Sequence, residues 1–189
     1  AKIGAVSVPI NTRSVAKEVA FILNDSSAKI CVVHPEFKKE SLRAKKAAAA
    51  LERLIFAGPA DGDDEALDLQ SLLEGAQAEP RPVDVAEGDL ASIFYTSGTM
   101  GKPKGATCSH RNLVAASMNV ETATGLTEDD RQLICVPLSH PLGCHSQMIG
   151  GVYIGATSVI QRHFVADETL SKIKSARVTT LVGVPTIYW

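Results

Sequence analysis

Leu90-Ala91-Ser92-Ile93-Phe94 is an apolar run that leads directly into Tyr95-Thr96-Ser97-Gly98-Thr99-Met100-Gly101-Lys102-Pro103-Lys104-Gly105. The second string sets the hydroxyls of Thr96, Ser97 and Thr99 among three glycines and two lysines. Glycines let backbone approach an anion closely, hydroxyls and free N–H groups donate to its oxygens, and lysines supply charge. Pro103 stiffens the exit. An exposed hairpin turn draws on the same residue types, but it needs only about two to five residues and has no use for all of these groups together. The ordered string therefore reads as a phosphate cradle behind a buried strand. It is not the commoner G-x-x-x-x-G-K-[ST] loop, because Pro103 stands where that loop has its second glycine.

Residues 95–105 closely resemble the phosphate-loop signature [YF]-T-S-G-T-T-G-x-P-K-G of the adenylate-forming enzymes, which include acyl-CoA synthetases, luciferases and adenylation domains of peptide synthetases. Met100 departs from it, removing a hydroxyl where the family has threonine. Other segments fit in the same order. Residues 4–11 and 18–25 resemble the family's upstream strand and helix, and residues 109–113 its continuation past the loop. Pro137-Leu138-Ser139-His140, with Gly143 three positions on, is similar to the acyl-CoA synthetase segment P-[LM]-F-H-x-x-G, with Ser139 replacing the aromatic residue. Gly183-Val184-Pro185-Thr186 resembles the segment bordering the acyl pocket.

The resemblance implies an ATP-dependent ligase that converts a carboxylic acid, a fatty acid foremost, to an acyl-adenylate and then to a coenzyme A thioester. Thr96, Ser97, Gly98, Thr99, Gly101, Lys102 and Lys104 would bind the nucleotide phosphates. Thr99 would contact Mg²⁺, and His140 would line the meeting point of acid and adenylate. ATP, coenzyme A and a small-molecule acid are the implied partners. The chain reads as part of the large N-terminal domain, inactive by itself, with the ribose-binding aspartate, the hinge and the C-terminal lid domain absent. An adenylation domain serving a carrier protein, a luciferase-like oxygenase and a non-catalytic nucleotide- or acyl-binding module remain the alternatives.

Outward from the loop, β-branched runs alternate with helical periodicity. Residues 3–10, 29–34, 54–57, 91–95, 133–138, 157–161 and 179–184 read as strands, and 15–23, 35–51, 112–124, 143–153 and 168–176 as helices. Such alternation predicts an α/β fold with mostly parallel sheets flanked by helices. The proline- and glycine-containing segment 75–88 is the best internal boundary, giving subdomain portions 1–85 and 86–189. The acidic stretch 58–65 lacks the spacing of a calcium loop and reads as a solvated turn.

At 189 residues, with 45% hydrophobic and 21% charged residues, the chain has the composition of a globular protein. A net charge of −2 provides no basic field for nucleic acid. Residues 132–161 carry no Asp, Glu, Lys or Arg, but prolines, histidines and glycines break the run, so it reads as strand, turn and apolar helix rather than an integral membrane span. The four cysteines show no regular spacing and point to free thiols in a reducing compartment, the cytoplasm by default. Cys144-His145 invites comparison with a Cys-His nucleophile or a zinc site, but a thiolate needs a base in reach and a structural zinc about four ligands, so both are disfavoured. His110 reads as part of a helix start, and residues 187–189 as either a pocket wall or plain core. Oligomeric state is not encoded in any of these features.

Overall fold

Two three-stranded parallel sheets and a separate strand pair carry the chain in a computed structural model, which describes residues 2–58, 66–76, 83–96 and 103–188. The elements run α1 (Ala16–Asp25), β1 (Ile30–Val33), α2 (Lys38–Lys45), β2 (Arg53–Phe56), β3 (Leu67–Asp68), α3 (Leu69–Glu74), β4 (Leu90–Thr96) and β5 (Lys104–Ser109). There follow α4 (His110–Thr124), β6 (Arg131–Ile134), a π-helix (Leu142–Ile149), α5 (Gly150–Ile154), β7 (Thr157–Ile160), α6 (Ala166–Ser175) and β8 (Thr180–Leu181). The mixed α/β architecture is the one that the alternating pattern predicts.

The chain divides into two compact units, Ala1–Val85 with Tyr95–Ala106, and Ala86–Phe94 with Thr107–Trp189. In the first, β2 is central between β1 and β3, with Leu54 and Phe56 fully buried. α1 contributes Ala20, Ile22 and Leu23 to this core, and α2 contributes Ala44. In the second, β6 is central between β7 and β8, pairing Leu133 with Val159 and with Leu181. Leu133 and Ile134 are buried on both faces, as a central parallel strand requires. β4 and β5 form the two-stranded pair.

Several elements depart from the sequence pattern. Residues 3–10 form no strand; only Ser7 makes an isolated bridge, Pro9 lacks an N–H, and residues 2–7 are exposed. The helix expected over 35–51 is a 3₁₀ turn at Pro35–Phe37 followed by α2, and the alanine run at 47–50 is not helical. Its backbone is satisfied partly by local turn bonds and partly by tertiary contact: Asn24 Nδ2 donates to the Ala47 carbonyl at 2.7 Å, and the Ala49 N–H donates to Asn24 Oδ1 at 2.9 Å. This outweighs the helix propensity of alanine. The strand expected over 133–138 ends at Ile134, beyond which neither neighbouring strand continues and Pro137 has no donor. β3 and β5 carry too little apolar periodicity to be anticipated, whereas α3 has Leu69, Leu72 and Leu73 at helical spacing but spans only six residues.

Candidate functional site

β4 buries Ala91, Ser92 and Phe94 and emerges at Tyr95 and Thr96. The Tyr95 phenol donates to Asp25 Oδ2 at 2.7 Å, and its ring meets Phe21 edge-on at 6.3 Å. Partial burial, and then the neighbouring carboxylate, push this phenol up to about 12. The entrance to the phosphate-loop string is thereby tied to the C-terminal end of α1. Thr96 is exposed, and the chain returns at Pro103 and the exposed Lys104, the first residue of β5. Ser97, Gly98, Thr99, Gly101 and Lys102 lie outside the described residues, as does Met100.

β5 passes into α4 through a capping box, with Ser109 Oγ accepting from the Asn112 N–H at 3.2 Å and Asn112 Oδ1 from the Ser109 N–H at 2.9 Å. His110 opens the helix, its N–H bonded to the Asp89 carbonyl, and its Nε2 is buried without a partner among the described residues. The first unit also holds an open cleft of about 520 Å³ lined by Lys45, Lys46, Glu52 and Arg53; no described residue of the string lines it.

In the second unit, His140 sits exposed in the turn after β6. Its N–H bonds to the Pro137 carbonyl at 3.1 Å, and its carbonyl accepts from Cys144 at 3.0 Å. Nδ1 accepts from the Leu142 N–H at 3.1 Å, which leaves Nε2 to carry the proton of the neutral ring and donate outward. Gly143 is forced by close approach, since a Cβ there would stand 2.6 Å from the Pro137 carbonyl oxygen.

The helix expected from 143 begins as a π-helix, a rare form that often marks functional sites. His145 points inward rather than to a substrate. Its Nε2 lies 3.0 Å from Ser92 Oγ, its ring meets Phe94 edge-on at 4.6 Å, and burial holds its imidazole below the usual range. Burial also pushes the Cys144 thiol up, which opposes a thiolate nucleophile. Among the described residues no three His, Cys, Asp or Glu side chains converge as a metal site, and no helix is long and apolar enough to cross a membrane.

A buried amide network went unread in the sequence. Gln132 Nε2 donates to the Gln147 carbonyl at 2.9 Å and to Ser158 Oγ at 3.0 Å, and Gln147 Nε2 donates to the Val182 carbonyl at 3.2 Å. The one available signal was glutamine inside a charge-free run. Val182 precedes Gly183, where a Cβ would meet Ile187 Cδ1 at 2.6 Å. Tyr188 is exposed, with its hydroxyl donating to the Leu181 carbonyl at 2.9 Å. Trp189 is outside the described residues.

The family model for AMP-binding enzymes matches residues 1–188. The chain is 33% identical over 185 residues to a feruloyl-CoA synthase of an Amycolatopsis species, covering 98% of this chain and 34% of that protein. It is 34% identical over 186 residues to the indoleacetate–CoA ligase of Aromatoleum aromaticum, covering 98% and 36% respectively. Among solved structures, an anthranilate CoA ligase in complex with anthranoyl-AMP superposes with a TM-score of 0.89 at 27% identity, covering 99% of this chain and 36% of that one. The chain thus spans about a third of the length of these relatives. Its fold, its ordered segments and this match across nearly every residue make it a member of the AMP-binding enzyme family.

Proposed function

We propose that the protein to which this chain belongs is an AMP-forming acid–thiol ligase. The observation that carries the reading is the string of residues 95–105, issuing from the buried strand β4 and framed by Thr96 and Lys104. Ligands of open α/β sheets gather at the carboxyl ends of strands, where loops present backbone N–H groups. In the first step the acid's carboxylate attacks the α-phosphorus of ATP and pyrophosphate leaves with its bonding electrons. In the second the thiol of coenzyme A attacks the acyl carbon, loses its proton and releases AMP.

The barrier to the first step is repulsion between an anionic nucleophile and a polyanion. Thr96, Ser97, Gly98, Thr99 and Gly101 supply donors and room for the β- and γ-phosphates, and Lys102 and Lys104 balance the charge that develops. The Thr99 hydroxyl is a hard oxygen of the kind that Mg²⁺ accepts beside phosphate oxygens; when bound, the ion would supply further charge neutralisation. With Nδ1 engaged by the Leu142 N–H, His140 keeps Nε2–H as the donor for a carboxylate or phosphate oxygen of the acid or adenylate. Relatives named for feruloyl, indoleacetate and anthranilate, beside a neighbour named as a long-chain-fatty-acid CoA ligase, support an aryl or fatty carboxylic acid as the substrate. Four free cysteines support a reducing, cytoplasmic setting.

The test is pyrophosphate release by the full-length protein with a panel of aryl and fatty acids. Lys102→Ala and Thr99→Ala should weaken ATP use far more than His140→Ala does. Equal ATP affinity in the wild type and in both Lys102→Ala and Thr99→Ala, by calorimetry, refutes the phosphate role. Exchange without coenzyme A consumption assigns a carrier-protein acceptor, and no exchange with any acid rejects the ligase reading.

A further inference from the structure

We infer that His145 is a positioning residue for His140, an inference that rests on the reading of His140 as the contact to acid or adenylate. Three observations carry it. The His140 turn is built onto the start of the π-helix: the Leu142 N–H fixes His140 Nδ1, the Cys144 N–H holds the His140 carbonyl, and Gly143 lies against the Pro137 carbonyl. The direction of the Nε2–H of His140 therefore follows the rotational setting of that helical turn. The turn is in turn set by His145, adjacent to Cys144, through a buried 3.0 Å contact with Ser92 and an edge-on contact with Phe94, both on β4. Any rotation of the helix that swings His140 breaks the Ser92–His145 pair and leaves a buried imidazole without its partner.

The third observation is the choice of residue and geometry. A leucine in an ordinary α-helix would fill the space with less desolvation and better hydrogen-bond geometry. A buried histidine in a π-helical turn instead specifies one register and one rotation, as buried polar pairs do elsewhere. Gln132, bonded to the Gln147 carbonyl, restrains the same helix from β6 and leaves His145 as the anchor nearest the turn.

The test uses the full-length protein with His145→Phe and Ser92→Ala, each in the native and the His140→Ala background. The phenylalanine keeps an aromatic edge against Phe94 and removes the hydrogen bond; Ser92→Ala keeps the ring and carries the test if His145→Phe does not fold. The readouts are kcat for pyrophosphate exchange, KM for ATP, and the ¹⁵N tautomer signals of the His140 ring. In the native background each variant should lower kcat about tenfold with KM for ATP unchanged, the scale of a small misplacement of a reacting group. The Nε2–H signal of His140 should lose its single tautomer. In the His140→Ala background neither variant should cost anything further, because His145 acts only through the missing ring. The same kcat loss in both backgrounds, or native kcat in the folded variants, overturns the inference. Native kcat in His140→Ala alone instead overturns the role of His140 itself and takes the positioning role with it.

Discussion

At the scale of single residues, Gly143 is decided by a backbone oxygen. The neighbour of its missing Cβ is the Pro137 carbonyl at 2.6 Å, which cannot swing aside as a flexible side chain would. Gly143→Ala should destabilise the protein by about 1–3 kcal/mol, measured by denaturant titration, with m unchanged. The pattern P-x-x-H-x-x-G named this glycine in the sequence, but its cause is a contact that seven residues of sequence do not reveal without coordinates. Tyr95 makes a pH prediction. Its folded pKa is raised to about 12, so its contribution is fully present below the unfolded value and is lost as pH rises toward 12. Ultraviolet titration should show one of the three tyrosines ionising late, and Asp25→Asn should bring it down. His145 runs the opposite way. With its folded pKa lowered, its contribution is present above the usual histidine range and is lost on acidification, and His145→Phe should flatten the stability–pH curve there.

At the scale of elements, two helices, α1 and α6, leave their last turn through a left-handed residue that is not glycine. After α1 the Ala28 N–H bonds to the Leu23 carbonyl and Ser27 takes φ 53°; after α6 the Val178 N–H bonds to the Ile173 carbonyl and Arg177 takes φ 50°. Both are Schellman motifs with a side chain in the left-handed position that favours glycine. Ser27→Gly and Arg177→Gly should each stabilise the fold by about 1 kcal/mol, read as a rise in Tm. Conversely, Ser109→Ala removes the cap of α4 and should cost about 1 kcal/mol. These joints explain what was legible. Helices with a clear apolar face, α1, α4 and α6, lie within two residues of the positions read from periodicity. The alanine run at 47–50 was misread because Asn24, distant in sequence, takes its hydrogen bonds. β5 was missed because its side chains are mostly exposed and carry no alternation.

At the scale of the whole molecule, parallel pairing concentrates protection on the middle strands. Native-state hydrogen exchange should find the slowest amides in β2 and β6, each paired on both sides, and faster exchange in β1 and β7. The α/β class was legible because strands covered on both faces read as short apolar runs separated by amphipathic helices. The 95–105 string stood out in the sequence for a different reason, its ordered composition, whereas the His140 segment stood out only by its resemblance to the acyl-CoA synthetase pattern. The supports beneath them, Ser92 with His145 and Gln132 with Gln147, were not, because polar residues within an apolar stretch show no partner until the chain is folded. The π-helical turn has a consequence for alignment and engineering. A relative with an ordinary α-helix over the same stretch will align with a one-residue gap inside Leu142–Ile149. Excising a residue there to regularise the helix would turn everything ahead of it by about 100°, so a seemingly harmless deletion would re-aim an imidazole it never touches.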